Sequence, residues 1–224
     1  MGENKTMGTA GYGLSKGLRR GKNTENATCL LIESNPSLDY SVAWRSHLCT
    51  CPGATECPRL LGLSSGSIAD WQISSSSHLS GDQDVQKMCH TKFARLHHSG
   101  NRSWCARHRA VGEWILVDLG VTALVTGLMT QGREEANEWV TLYTVSFSND
   151  ASKWSYVTDS ESSVKRKIFS GNFDSNSVRY NIFKVAIEAR FIRIHVIEWH
   201  GWPSLRLEIV GCQGNLLGTK TTWD

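Results

Sequence analysis

The C-terminal stretch constrains the fold more than any other part of the chain. Ala189-Arg190-Phe191-Ile192-Arg193-Ile194-His195 is followed, after a short break, by Leu205-Arg206-Leu207-Glu208-Ile209-Val210-Gly211-Cys212. In the first run Ile192, Ile194 and Val196 share one face, with Arg193 and His195 on the other. In the second, Leu205, Leu207 and Ile209 lie opposite Arg206 and Glu208. Period-two alternation predicts half-buried strands of an antiparallel sheet. The closing Cys212 predicts a domain whose two ends are stapled together. The pattern points to a binding module before an enzyme.

A chain of 224 residues with 40% hydrophobic content can bury one sizeable core. No apolar run approaches the roughly 18 to 20 residues needed to span a bilayer. Seven cysteines suit an oxidising compartment. The acceptor triplets at Asn4, Asn26 and Asn101 agree with that. No signal-peptide pattern opens the chain, so secretion implies a fragment or a missing upstream segment. The net charge of +3 resides wholly in residues 1–28, and the remainder balances to zero. One internal stretch is nevertheless cationic. Between Asp84 and Glu113 there is no acidic residue, while Lys87, Lys92, Arg95, Arg102, Arg107 and Arg109 alternate with His90, His97, His98 and His108.

Residues 1–28 are polar and lack hydrophobic periodicity, which predicts a disordered tail. Residues 29–56 form a cysteine-containing linker too short for a core, and 213–224 form a C-terminal tail. Between them, strand-like runs recur at Glu113–Leu119, Ala123–Gln131, Glu138–Ser148, Trp154–Val157, Tyr180–Val185, Ala189–Glu198 and Ser204–Gly211. Gly, Asn, Asp and Ser clusters separate them, and no amphipathic helix is evident. The expected class is an all-β sandwich or barrel.

These residues resemble the discoidin, or coagulation factor V/VIII C-type, domain. The pieces are Ala94-Arg95-Leu96, Ser103-Trp104-Cys105-Ala106, Glu113–Gly120, Gly127–Arg133, Glu138-Trp139-Val140, Tyr143–Ser148, Ala189–Ile194 and Leu205–Cys212. They occur in family order and cover about two-thirds of the chain, residues 57–212. The entry Glu56-Cys57-Pro58 and the cysteines before it are similar to retinoschisin-like secreted members. The resemblance implies an eight-stranded jelly-roll β-sandwich (galactose-binding-domain-like) closed by a Cys57–Cys212 disulfide. Such a bond, closing about 155 residues, contributes on the order of 5 kcal/mol in the chain-entropy model. It also implies ligand binding at loops projecting from one end of the barrel.

Those loops fall within Ser74–Lys87, His97–Arg107 and Arg133–Asn137. The first offers His78 and, at its tip, Leu79 as an apolar residue for lipid insertion. The third presents Glu134 and Glu135, which an anionic lipid surface repels. The second carries His97, His98, Arg102 and Arg107, a set suited to sulfated or sialylated glycans, acidic protein surfaces or phosphate headgroups. The bland alternative for that set is a solvated basic rim. Trp71 and Trp104 are candidates for stacking on a sugar ring. Trp114 and Trp139 begin strands and read as core. Arg133 either faces ligand or pairs with Glu138 or Asp118 to fix the loop base. Asn101 is the acceptor site within the second loop.

Cys89 and Cys105, with nearby histidines, lack the tight ligand spacing of a structural zinc site. A local disulfide bracing the second loop is the favoured reading. No metal ligand set is assigned. Cofactors are expected to be none, and the acidic residues show no calcium-binding spacing. Of the remaining cysteines, Cys49 and Cys51 are candidates for intermolecular disulfides in a homo-oligomer. No nucleophile elbow, zinc-protease helix, phosphate loop or Cys-x-x-Cys motif is present, so no enzyme is expected. Nor is nucleic-acid binding, since no recognised motif appears and the charge outside the tail is balanced. The expected function is non-catalytic extracellular recognition in cell adhesion, through cell-surface carbohydrate or glycoprotein. Peripheral binding to anionic phospholipid, or a disulfide-linked structural oligomer, is the alternative.

Overall fold

The computed structural model describes residues 58–81, 87–160 and 162–213. Nine strands run in chain order: β1 (Arg59–Leu60), β2 (Ile73–Ser75), β3 (Trp104–Cys105), β4 (Trp114–Gln131), β5 (Trp139–Ser148), β6 (Ser155–Tyr156), β7 (Ile168–Ser170), β8 (Arg179–His200) and β9 (Ser204–Cys212). The main sheet has the order β1-β9-β4-β8-β5-β6, with β2 on β4, β3 on β9 and β7 on β5. All these pairings are antiparallel. The all-β jelly-roll class is as expected. The strand count differs because short pairings along the edges add to the long strands.

Runs that read as separate strands join in space. Glu113–Leu119 and Ala123–Gln131 become one β4, bent where the register shifts between Asp118 and Ala123. Gly120 takes φ +77° at that bend, a backbone state that costs glycine little. Tyr180–Val185 and Ala189–Glu198 likewise merge into β8. Such bulges let a long strand turn a corner and curl the sheet around its core.

The core follows the alternation. Ile115, Val117, Tyr143, Val145, Ile192, Ile194, Leu205, Leu207 and Ile209 are all 0% exposed. Tyr143 stacks on Phe169, and its hydroxyl accepts a hydrogen bond from Asn181 Nδ2 at 2.9 Å. One expectation fails here. The alternation predicts a half-buried β9, yet every residue from Ser204 to Cys212 is buried. Its polar face is covered by loops, and Arg206 and Glu208 are enclosed with it.

Glu208 shows how that burial is compensated. Its carboxylate accepts main-chain N–H bonds from Leu63 (3.1 Å), Ser64 (2.7 Å) and Ile209 (2.9 Å). The 61–64 turn is thereby tied to the last strand. β1 pairs Arg59 with Gly211, so the two ends of the described body meet. Cys212 is disulfide-bonded. Cys57, the partner implied for it, lies outside the described residues, as do Cys49, Cys51 and both tails.

Trp114 and Trp139 are corrected. Both are half-buried and outside the core, because the strand face that carries them points away from Ile115 and Val140. Trp114 and Trp154 instead sandwich the Arg193 guanidinium, at 4.6 and 3.8 Å from the ring centres. Trp139 stacks on His200 at 4.1 Å. Cation–aromatic contact of this kind holds a charge on a sheet surface without a carboxylate. Arg190 forms a two-point pair with Asp118 at 2.8 and 2.9 Å, holding that carboxyl below its ordinary value.

His195 lies on the same outer face and hydrogen-bonds Ser146 Oγ at 2.8 Å. Burial first, then Arg193 and Arg166, lowers its pKa from 6.5 to about 4. Between those values the unfolded chain takes up a proton that the folded chain refuses. Stability is therefore expected to fall as pH drops from about 6.5 towards 4 and to be unaffected by this group above that window. Urea midpoints at pH 7 and pH 5, compared with His195→Gln, measure the effect. An equally steep decline in the variant would assign it to other groups.

Candidate binding face

The loops at one end of the barrel are fixed by side chains deep in the fold. The first loop is rooted on Glu113, whose carboxylate accepts hydrogen bonds from the Ser76 and Ser77 hydroxyls. Glu113 is itself buried. The Leu79 N–H donates to the Cys105 carbonyl at 2.8 Å, and Trp104 Nε1 donates to the Ser77 carbonyl at 2.8 Å. From the second loop, the Arg107 N–H reaches Ser77 Oγ at 2.9 Å and its guanidinium reaches Ser80 Oγ. The Cys89–Cys105 disulfide is formed, across 16 residues of sequence. In the chain-entropy model a loop of that size gains about 3 kcal/mol.

Arg206 joins the remaining loops. Nε donates to the Gly132 carbonyl at 2.7 Å, and NH1 donates to the His98 carbonyl at 3.0 Å. NH2 donates to the Ser175 carbonyl at 3.2 Å and Asn176 Oδ1 at 2.9 Å. The residue is 1% exposed. Burial draws its pKa below the ordinary arginine value, but a guanidinium remains cationic at neutral pH. Gln131 adds a parallel tie, accepting from the His97 N–H at 2.8 Å and donating to the Asn176 carbonyl at 2.6 Å. Gly132 admits no side chain here: an added Cβ would lie 2.5 Å from the Glu138 carbonyl oxygen and 2.9 Å from Ser175 Cα.

Against this frame the candidate residues separate. His97, Arg102 and Arg107 are exposed. Arg102 lies over the Phe93 ring at 5.3 Å, and His98 meets the same ring edge-on at 5.1 Å. His98 is half-buried. His97 has φ +61°, held by the Gln131 contact. His78 is half-buried and packs on His90 with ring centres 4.6 Å apart. Burial, followed by His78 and Lys92, lowers the His90 pKa. Leu79 is half-buried and backbone-tied; residues 82–86 beyond it lie outside the described residues.

Two assignments are corrected. Trp104 is 0% exposed and belongs to the core, so its ring cannot stack on a sugar. Arg133 is turned inward, donating to the Asn101 carbonyl at 3.0 Å and pairing with Glu138 at 3.2 Å. Its side chain is 13% exposed, and Glu138, rather than Asp118, is its partner. Asn101 has φ +59°, and its Nδ2 lies 4.0 Å from Met88 Sδ. Its amide oxygen is buried, and the residue as a whole is half-buried. Trp71 remains accessible at 80% exposure. It sits in a 3-10 turn beside the Asp70–Arg95 ion pair, with Gln72 tied to the Asp118 carbonyl, instead of among the loops joined by Arg206.

Sequence reasoning missed a fourth loop, 171–178. Ser175 Oγ donates to the Glu134 carbonyl at 3.0 Å, placing this loop beside the third. Phe173 on it is 68% exposed. A lone aromatic within Gly171-Asn172-Phe173-Asp174-Ser175-Asn176 was the available signal. Among the described residues, no group of three or more His, Cys, Asp or Glu could hold a metal ion.

A model of the F5/8 type C domain matches residues 72–209. The chain belongs to the F5/8 type C domain family. Bos taurus lactadherin is 35% identical over 159 residues, which cover 70% of this chain and 37% of that protein. The EGF-like repeat and discoidin I-like domain-containing protein 3 of Mus musculus is 37% identical over 159 residues, 70% of this chain and 33% of that protein. The chain thus spans about a third of the length of these two relatives. Discoidin II of Dictyostelium discoideum, a solved structure, superposes with TM-score 0.57 at 22% identity, covering 70% of this chain and 59% of that one. That likeness concerns the fold. In this F5/8 type C domain, the buried Glu113 and Arg206 hold the four loops from within.

Proposed function

We propose that this chain is a non-catalytic extracellular recognition module that binds cell-surface carbohydrate or glycoprotein through its loop end, in an adhesive role. The observation that carries the reading is a set of exposed cationic side chains, His97, Arg102 and Arg107, on loops whose main chains are already immobilised. Pre-ordered loops lose little conformational entropy on binding, so a few charge-assisted hydrogen bonds suffice for a specific contact. Arg133 is excluded from the ligand set because its guanidinium is spent on Glu138 and Asn101. The Cys89–Cys105 bond and the disulfide at Cys212 favour an oxidising location. Disulfide-linked oligomerisation through Cys49 or Cys51 concerns residues outside those described.

The second reading, peripheral attachment to anionic phospholipid, draws on Phe173, which projects beside the third loop. Glu134 and Glu135 on the adjoining loop oppose it. A glycan array and phosphatidylserine vesicles, applied to the whole chain, separate the two. Arg102→Ala with Arg107→Ala is expected to lower glycan signal by about tenfold or more, with Phe173→Asp neutral. Vesicle binding abolished by Phe173→Asp, with a silent array, would replace the carbohydrate reading by the lipid one.

A further inference from the structure

A second basic surface lies off the β6 edge of the sheet, away from the loop end. The connection between β6 and β7 carries Lys165-Arg166-Lys167, with Lys184 of β8 brought alongside. Asp159 places two of these cations side by side: one carboxylate oxygen lies 3.0 Å from Lys167 Nζ and 3.4 Å from Lys184 Nζ. Both lysines hold the Asp159 pKa down, so the carboxylate remains ionised between them. Arg166 is held separately, over the Tyr156 ring at 5.7 Å. Lys165 and Arg166 are exposed, and the Lys184 side chain is 68% exposed. A shallow cleft of about 260 Å³ runs along Asp159, Ser163, Lys165, Arg166, Lys167 and Ile168.

We propose that this edge cluster is a binding site for a sulfated linear polysaccharide, distinct from the loop-end site. Lys165, Arg166, Lys167 and Lys184 outnumber the one carboxylate they surround, Asp159, so the segment is positive within residues 29–224, which together sum to zero. Sulfates match this set because ammonium and guanidinium groups both donate to anionic oxygens, and the chain needs no apolar contact. A folded protein partner fits less well. The cleft offers Ile168 as its one apolar lining residue, whereas stable protein interfaces have an apolar core. A membrane also fits less well. Lys167 is held by Asp159 and Arg166 lies over the Tyr156 ring, so the cations line one cleft beside an ionised carboxylate. A narrow sulfated chain can lie along that cleft, whereas an anionic bilayer laid over it also meets the Asp159 carboxylate. Val164 is the single fully exposed apolar side chain at the tip, too little to anchor a lipid-inserted hairpin.

The test uses the whole chain, a heparin oligosaccharide, the same oligosaccharide after desulfation, and phosphatidylserine vesicles. Lys165→Ala with Arg166→Ala and Lys184→Ala is expected to weaken heparin binding by about tenfold or more and to lower the salt needed for elution. Desulfated oligosaccharide should bind neither form. Because the substituted side chains are exposed, an unchanged thermal midpoint certifies the fold. Arg102→Ala with Arg107→Ala should leave most heparin affinity in place, so failure of the loop-end reading registers separately. Heparin affinity retained by the edge variant, or edge-dependent vesicle binding without heparin binding, overturns the proposal.

Discussion

Arg206→Met is expected to lower unfolding free energy by about 3 kcal/mol and to release the loop end while the sheet survives. Methionine fills much of the same volume but donates nothing. The carbonyls of Gly132, His98 and Ser175 then lose their partner, the first of them fully buried and the other two partly so. Each unsatisfied buried acceptor costs about 1–3 kcal/mol, partly recovered as the loops shift towards solvent and as a desolvated cation is removed. The diagnostic readout is local. Hydrogen exchange should accelerate at residues 97–99, 132–134 and 175–177, with amides of the β4–β8 pairing unchanged at equal global stability. Arg206→Lys should recover only part of the loss, because one ammonium cannot reproduce a planar fork spanning three loops. A uniform rise in exchange across the sheet would mean that Arg206 supports the core and does not specifically order the loops.

Glu208→Ala is the second large effect, about 3–4 kcal/mol, acting two residues further along the same strand, at the 61–64 turn. It leaves the Leu63, Ser64 and Ile209 N–H groups without their acceptor and opens a cavity where the side chain was. Glu208→Gln keeps one oxygen and the volume, and is expected to cost roughly half as much. Chemical denaturation of both variants checks this ordering. A Gln variant as unstable as the Ala variant would show that the negative charge, beyond the acceptor geometry, is required.

These two residues also show where sequence reading stops. Alternation in Leu205–Ile209 located the strand and its core face correctly, because period two is a local property of the backbone. It could not show what covers the other face. The covering segments lie far away in sequence: Leu63 is 145 residues from Glu208, and His98 is 108 residues from Arg206. Tryptophan presented the same difficulty. Trp104 and Trp71 were equivalent as sugar platforms until folding buried one and left the other exposed. Trp114 and Trp139 read as core because large aromatics at strand starts usually are, yet the neighbouring Ile115 and Val140 take the inward positions. Arg133 left two partners open, and only the approach of Glu138 across the loop base decides between them. The Cys89–Cys105 bond was legible, since its two ends flank one short basic segment. The 171–178 loop was not, since its place beside the third loop depends on the return path of β8.

Arg206 binds mostly main-chain oxygens, and this has a consequence for how such a module diversifies. Carbonyls of residues 98 and 175 are supplied by whatever amino acid occupies those positions, and that of 132 by a glycine the packing requires. Outward-facing side chains at 97, 102, 107 and 173 can then be exchanged without dissolving the anchor. Ligand preference can drift from sugar to protein to lipid while the attachment of the loops stays the same. A library randomised at those outward positions, with Arg206, Gly132 and Glu113 held fixed, should yield many folded members of differing specificity.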